Sequence, residues 1–402
     1  MIKMKKIKTM NITPVYSKQS GFSLIELLVA MIIGLIVSLA VYTVLTTFEA
    51  RKRTTTSVND TSQANTYALY QLDKKLRSAG SGFSAGLQGV QASVSTFGCL
   101  LNVALNGAQL LPRLGAFPGA FASVNPNIRL APVVILDNVA GAQGDIIIAM
   151  SGNSGAAETA TPLTGIPSSI QLNVDNNINF KANDRVLAIR SPVGAAIQPC
   201  LFEQVENGFV PASAAVAVRL GGPYYQSTIN GINLAGYIDN TQALNLGQAP
   251  QFEMFAVGNN NTMFSYDLLN PPSAAPESPN PSIFIEGAYQ MHALYGIDND
   301  GDPNVASINW VAPTGAYAAA NLLTGTVAAN TLLSTIKAVK IGLITRTALL
   351  EREIVSGASV TLFANATPLV VNLDNPNFRY QTAEITVPVR NSLMLENIIF
   401  RR

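Results

Sequence analysis

Apolar residues form one long, uninterrupted run near the start of the chain. From Leu27 to Phe48 there is no charged residue and no proline. A helix over this run has about 22 residues and 33 Å of length, enough to cross the hydrocarbon core of a bilayer. An ordinary secretory signal has a shorter apolar core that is followed by a small-residue cleavage site. The pattern therefore favours a membrane-spanning helix.

The helical pattern continues beyond the apolar run. The basic residues 51–53 mark a water interface, and Leu69, Leu72 and Leu76 then recur at three- and four-residue spacing. This spacing places apolar side chains on one face of a helix, and two glycines shortly afterwards supply a stop. The sequence predicts one helix over residues 22–79, whose second half lies against a folded body.

The rest of the chain reads as short β-strands. Val, Ile, Leu and Ala runs alternate with clusters of Gly, Pro, Asn and Asp, which mark turns. The predicted strands are Ala131–Leu136, Asp145–Met150, Arg185–Arg190, Val216–Leu220, Ala338–Arg346, Val360–Phe363 and Ala383–Val389. One helical pattern is seen around residues 318–337. The expected fold class is α+β: a long N-terminal helix packed against a β-rich, mainly antiparallel globular body.

A proline-rich segment interrupts the body. Residues 270–281 contain five prolines among small polar residues. Such a composition is stiff and exposed. It predicts either a surface loop or an internal boundary near residues 270–282.

Charge argues against nucleic acid as a main partner. The 402 residues carry a net charge of +1, and only 12% are charged. Five lysines lie within the first 21 residues, so the remainder has 20 basic and 24 acidic residues, a net charge of −4. A weakly acidic body without a basic stripe lacks the electrostatic footprint of a nucleic-acid-binding protein.

Glu26 is a carboxylate at the start of the apolar segment. A charged side chain inside a membrane helix costs about 2.5–3.5 kcal/mol at mid-bilayer on insertion scales, so it needs a partner. If the chain were cut after Gly21, Phe22 would carry a new ammonium group four residues before Glu26. Carboxylate and ammonium could then neutralise each other, within one helix or between neighbouring helices.

The lysine-rich leader, Gly21 and the segment Phe22-Ser-Leu-Ile-Glu26-Leu-Leu-Val closely resemble the type IV prepilin motif. The resemblance implies that a prepilin peptidase cuts after Gly21 and methylates Phe22, and that Glu26 pairs with a neighbouring subunit during assembly. It divides the chain into a leader (1–21), a transmembrane and filament-core helix (22–80) and a periplasmic body (81–402). The leader lysines favour an N-terminus inside the cell. The expected location is the inner membrane, single-pass, and then the pilus at the cell surface.

Three C-terminal blocks narrow the resemblance. They are Tyr295–Asp302, Val339–Arg346 and Ile385–Asn391, and they are similar to the closing blocks of PilW-type minor pilins. The implied function is a minor pilin that helps to initiate type IV pilus assembly in a tip-associated complex. The implied partners are the prepilin peptidase, other minor and major pilins, and a pilus tip adhesin.

Two other interpretations remain open. The chain could be a minor pseudopilin of type II secretion, which the helix motif does not separate from a pilin. It could also be a membrane-anchored periplasmic binding domain or enzyme, but an anchor has no use for Glu26. The segment Gly82-Phe-Ser84-Ala-Gly86 matches a nucleophile elbow only on paper, because a helix and not a strand precedes it. The sequence therefore predicts no catalytic residues.

Three aspartates at alternating positions, Asp298, Asp300 and Asp302, suggest a calcium loop, since hard oxygen ligands must converge on the ion. Pro303 and Asn309 stand where an EF-hand needs Gly and Glu. The alternative is an Asx-rich turn, which is favoured. No other cofactor is expected; the lone His292 is interpreted as a partly buried structural residue, and the lone Trp310 as part of the core or of a contact surface.

The two cysteines, Cys99 and Cys200, are about a hundred residues apart. Two cysteines without further ligands do not make a zinc site. In an exported body they predict a disulfide, the alternative being two buried free thiols.

Overall fold

The computed structural model describes residues 21–83, 97–154, 160–190, 199–212, 216–237, 241–275, 277–298 and 308–389. The fold class predicted from the sequence is confirmed: a long apolar N-terminal helix precedes a β-rich, mostly antiparallel body. The chain divides into two compact units, Met1–Thr56 and Ser57–Arg402.

Helix α1 runs from Leu24 to Arg77, within two residues of each end of the predicted helix. It is long and apolar enough to cross a membrane, judged by length and composition. Its residues in the first unit are exposed, except Thr54, which is partly buried. Its buried residues all belong to the second unit: Thr61, Asn65, Ala68, Leu69, Leu72 and Leu76.

The buried stripe of α1 explains why the last part of the helix belongs to the body. Leu72 and Leu76 are fully buried in the main core. The Asn65 side-chain amide donates a 2.8 Å hydrogen bond to Thr345 Oγ1, and Lys75 forms an ion pair with Glu253. Apolar burial and two polar contacts thus hold residues 57–77 against the sheets.

The body contains 21 strands and two short helices within the described residues. The strands are β1 Leu101–Leu105, β2 Ala108–Leu111, β3 Val133–Leu136, β4 Ile146–Ser151, β5 Thr161–Pro162, β6 Gln171–Asn173, β7 Arg185–Arg190, β8 Cys200–Gln204, β9 Ala217–Arg219, β10 Thr228–Ile229, β11 Ile232–Asn233, β12 Thr241–Gly247, β13 Gln251–Gly258, β14 Thr262–Asp267, β15 Ser282–Glu286, β16 Ala288–Ile297, β17 Asn309–Val311, β18 Ile336–Leu350, β19 Ser359–Leu362, β20 Leu369–Asn372 and β21 Phe378–Pro388. The helices are α2 Ala319–Leu322 and α3 Val327–Thr335.

Three larger sheets carry the body. Their strand orders are β2-β1-β8-β7-β12-β5, β15-β14-β13-β4-β3 and β17-β16-β18-β21. Pairing among named strands is antiparallel except between β1 and β8, which run parallel. The main core joins α1 to all three sheets. A second core lies on the six-stranded sheet, and a third lies between the four-stranded sheet and the hairpin β19-β20.

All seven strands expected from the sequence lie on observed strands, although several ends differ. The helical pattern around residues 318–337 is shorter than expected, because it forms two helices and ends where β18 begins at Ile336. Gly325, between the two helices, has φ +71°, a left-handed conformation that ends helices and that glycine adopts without strain.

The proline-rich segment connects β14 and β15, which are neighbours in the five-stranded sheet. The side chain of Asn280 holds this segment together by hydrogen bonds. Its side-chain amide donates to the carbonyls of Asp267, Asn270 and Pro271, and its Oδ1 accepts from Asp267 N. The domain limits expected from the sequence, including a boundary near 270–282, stay predictions.

Candidate functional site

The predicted cleavage pair and Glu26 lie within six residues at the start of α1. Phe22 is 86% exposed, and a Cβ added to Gly21 would meet nothing within 4 Å. Glu26 Oε2 accepts a 3.1 Å hydrogen bond from the backbone N–H of Ser23. Residues 1–20 of the predicted leader (1–21) lie outside the described residues.

The Ser23–Glu26 contact is one half of a capping box. In this motif an acid at the third helical position reaches back to the N–H of the residue before the helix, a donor that the helix itself cannot satisfy. The carboxylate also meets the positive end of the helix dipole. Ser-x-x-Glu before an apolar run is the sequence signature of this motif, so Ser23 is a site residue that the sequence interpretation missed although its signal was present.

The apolar segment that follows presents its side chains outward on all sides. Leu24, Leu35 and Phe48 are 82%, 70% and 67% exposed. A helix that is apolar all round requires an apolar environment, either lipid or other helices. The apolar surface of the first unit is therefore expected to be covered by lipid or by other helices.

Four hydroxyl groups within this segment are satisfied by the helix itself. Ser38, Thr43, Thr46 and Thr47 donate to backbone carbonyls three or four residues earlier, at 2.8–3.0 Å. An unpaired hydroxyl in an apolar medium costs several kcal/mol, so these bonds make the segment compatible with lipid.

Cys99 and Cys200 form a disulfide in the structure, with their Cα atoms 5.7 Å apart. Cys200 is the first residue of β8 and pairs with Leu101 of β1. The bond thus closes a loop of 101 residues beside the parallel strand pair. Both cysteines are almost fully buried.

The predicted calcium loop is described only at its first residue. Asp298 is buried, and its backbone N–H donates to Thr335 O at 2.9 Å. Asp300 and Asp302 lie outside the described residues, as do Ser84 and Gly86 of the elbow-like segment. Elsewhere in the described part of the chain, no three His, Cys, Asp or Glu residues are grouped to hold a metal ion. The calcium site stays a prediction.

The contact between His292 and Asp145 indicates a structural role for both residues. Its Nδ1 lies 3.6 Å from Asp145 Oδ1. The two carboxylate oxygens of Asp145 also accept from the backbone N–H groups of Asn138 and Ala293. Partial burial, and then the charge of Asp145, raise the pKa of the neighbouring Asp137. A carboxylate that anchors two backbone segments stabilises the fold.

Glu203 is another buried acid, and the sequence interpretation missed it. It is 2% exposed, and its Oε2 accepts a 3.3 Å hydrogen bond from Gln226 N. Burial raises its pKa to about 8, partly opposed by this bond. No sequence signal marks it, since a lone Glu in a strand is usually solvent-facing.

Two models of known protein families match this chain, one near its N-terminus and one in its C-terminal part. The model of the prokaryotic N-terminal methylation motif matches residues 16–42, which include Gly21, Phe22 and Glu26. The model of type IV pilus-assembly protein W matches residues 255–391, which include the three C-terminal blocks. No curated protein and no solved structure matches the chain. Both family resemblances drawn from the sequence are confirmed.

Proposed function

We propose that the chain is a minor pilin that prepilin peptidase processes between Gly21 and Phe22, and that it takes part in initiating type IV pilus assembly. The two family matches support a pilus-assembly minor pilin. The second match also favours a pilus over a type II secretion filament. A structural, non-enzymatic role accords with it.

The observation that carries the proposal is the combination at the start of α1. An exposed Phe22 precedes a helix whose first turn holds a carboxylate, and an all-round apolar surface follows. Cutting before Phe22 creates an ammonium group beside Glu26.

The mechanism is packing. In lipid the helix gains little from burying apolar side chains, because lipid tails are as apolar as they are. Direction and register must therefore come from polar contacts. An ion pair between Glu26 and a Phe22 ammonium is strong in a low-dielectric medium and forms at one axial position only. The body would then cap or present the filament beside other minor and major pilins, beneath a tip adhesin.

The test is the intact mass and N-terminal sequence of the protein from cells with and without prepilin peptidase. The expected mature chain begins at N-methylated Phe22 only when the peptidase is present. Gly21→Val is the matched variant, because a β-branched residue hinders close approach of the backbone to the protease. It should remain uncut, and the neighbouring variant Ser20→Ala should be cut normally.

A different N-terminus would overturn the proposal. If the chain is unprocessed in both strains, or is cut after the apolar run, the segment is an anchor or an ordinary signal. If the chain is processed but absent from sheared pili, the filament role is wrong even though the peptidase acts on it.

A further inference from the structure

A polar cavity of about 410 Å³ lies on the body, between the end of β12 and the turn before β7. Its lining includes Asn153, Asn179, Lys181, Asp184 and Gln248. None of these residues belongs to the helix or to the assembly site. The volume falls within the range of small-molecule sites.

Asp184 is the centre of the cavity wall. It is 4% exposed, and its Oδ2 accepts hydrogen bonds from Lys181 N at 2.8 Å and Asn245 Nδ2 at 2.7 Å. Its Oδ1 has no hydrogen-bond donor among the described residues, and no Lys, Arg or His nitrogen within that part of the chain forms an ion pair with it. Oδ1 is not fully buried, so it is open to a donor from the solvent or from a ligand in the cavity.

Asn245 holds Asp184 in place. It is 1% exposed, and its Nδ2 also donates to Asn179 O at 2.6 Å, while its Oδ1 accepts from Gly247 N. One amide therefore fixes two parts of the lining. A carboxylate oriented by a saturated buried neighbour is pre-organised.

Gly247 allows the chain at Asn153 and Ser154, on the other side of the cavity, to pack closely against the end of β12. Its φ is +77°, and a Cβ there would lie 2.7 Å from Ser154 N. Asn153 N donates to Leu246 O at 2.8 Å, and Asn153 Oδ1 accepts from Ala249 N at 2.9 Å. The wall at Asn153 is thus tied to the chain beyond β12 by its own hydrogen bonds.

In Gln248 and Asn153, two further lining residues, one atom of the side-chain amide is hydrogen-bonded and the other has no partner among the described residues. Gln248 Nε2 donates to Ala182 O at 3.0 Å, and its Oε1 has no partner in the described ranges. Asn153 Nδ2 and Lys181 Nζ likewise have none there. Acceptors and donors therefore stand side by side around one space.

We propose that this cavity binds a saccharide through its hydroxyl groups. A hydroxyl both donates and accepts, so neighbouring hydroxyls of a sugar ring can donate to Asp184 Oδ1 and Gln248 Oε1 while accepting from Lys181 Nζ and Asn153 Nδ2. A free anion is disfavoured by the buried Asp184. A metal ion is disfavoured because Asp184 supplies a single carboxylate and Lys181 lies on the same lining.

The experiment uses the full chain in a detergent without a sugar headgroup. Glucose, galactose, mannose and N-acetylglucosamine are added separately, at up to about 50 mM, and binding is followed by saturation-transfer difference NMR. At least one sugar should bind with a Kd between about 0.1 and 10 mM. Asp184→Asn should weaken that sugar about tenfold or more, as expected for the loss of a charge-assisted hydrogen bond.

Two further variants guard against misfolding. Gln248 and Lys181 are exposed, so Gln248→Ala and Lys181→Ala should keep the wild-type melting temperature and still weaken binding about threefold or more. Asp137→Asn, which changes a carboxylate outside this cavity, should bind as wild type. The proposal is wrong if no sugar binds the wild-type chain, or if the Asp184 and Gln248 variants both bind normally. Stabilisation by calcium chloride alone, lost in Asp184→Asn, would assign the cavity to a cation and also overturn it.

Discussion

Glu203 shows how one residue makes stability depend on pH. Its pKa is raised from 4.5 to about 8 by burial. Below about pH 4.5 the carboxyl is neutral in the folded and unfolded chains and costs nothing. Between pH 4.5 and about pH 8 the unfolded chain releases a proton that the folded chain retains. The free energy of unfolding therefore falls as pH rises through this range. Above about pH 8 the loss is complete.

Replacing Glu203 by Gln should remove this dependence. We expect Glu203→Gln to unfold at a higher denaturant concentration than wild type at pH 9 and at a similar one at pH 4.5. The difference should be on the order of a few kcal/mol. Urea titrations at the two pH values provide the measurement. Glu286→Gln, at an exposed position, is the control, and equal pH slopes for wild type and Glu203→Gln would contradict the assignment.

Two variants of Glu26 separate its contact with Ser23 from its charge. Glu26→Gln keeps an oxygen that can accept from Ser23 N–H but loses the charge, whereas Glu26→Asp keeps the charge on a shorter side chain. If the charge sets the register, Gln should lower incorporation into sheared pili about tenfold or more, and Asp should retain part of it. Both variants should still be cut after Gly21. Normal incorporation of Glu26→Gln would show that capping alone suffices.

At the scale of the element, the last part of α1 depends on its buried stripe. Leu72 is fully buried in the main core, whereas Tyr70, two residues earlier, is 62% exposed. Leu72→Ala should lower the free energy of unfolding of the body by about 2–5 kcal/mol, the range for a leucine truncated in a packed core. Tyr70→Ala should change it by about 0.5 kcal/mol or less. Chemical denaturation followed by the fluorescence of Trp310 distinguishes the two, and equal effects would mean that the stripe does not hold the helix.

The helix and the longer strands could be predicted because their patterns are local. The leucines of α1 repeat at helical spacing, and Arg185–Arg190 is a continuous apolar run between two arginines, with turn residues on both sides. Strands of two or three residues, such as β5 and β10, carry no such pattern. The parallel pairing of β1 with β8 joins segments about a hundred residues apart, and nothing within either segment specifies it.

The candidate site residues also differ in whether the sequence alone predicts their arrangement. Gly21, Phe22 and Glu26 lie within six residues, so their arrangement follows from the start of one helix. Asp184 and Gln248 meet only because β7 and β12 are neighbours. A lone acid in an Asn-Asp turn looks like any solvated turn residue until the strands are paired.

At the scale of the whole molecule, the disulfide constrains the unfolded body. It closes a loop of 101 residues, which in the chain-entropy model stabilises the folded state by about 4–5 kcal/mol. The double variant Cys99→Ala, Cys200→Ala should therefore unfold at a lower denaturant concentration than the oxidised wild type. Dithiothreitol should lower the stability of wild type and leave the variant unchanged. A wild-type midpoint insensitive to the reductant would exclude this contribution.

The internally bonded hydroxyl groups of the apolar segment determine what an isolated copy of the helix needs from its surroundings. Ser38, Thr43, Thr46 and Thr47 need no hydrogen-bond partner from a neighbouring molecule, so these four groups add no cost for a solitary copy in lipid. The demand of an isolated helix for a polar partner then falls on Glu26, at its start.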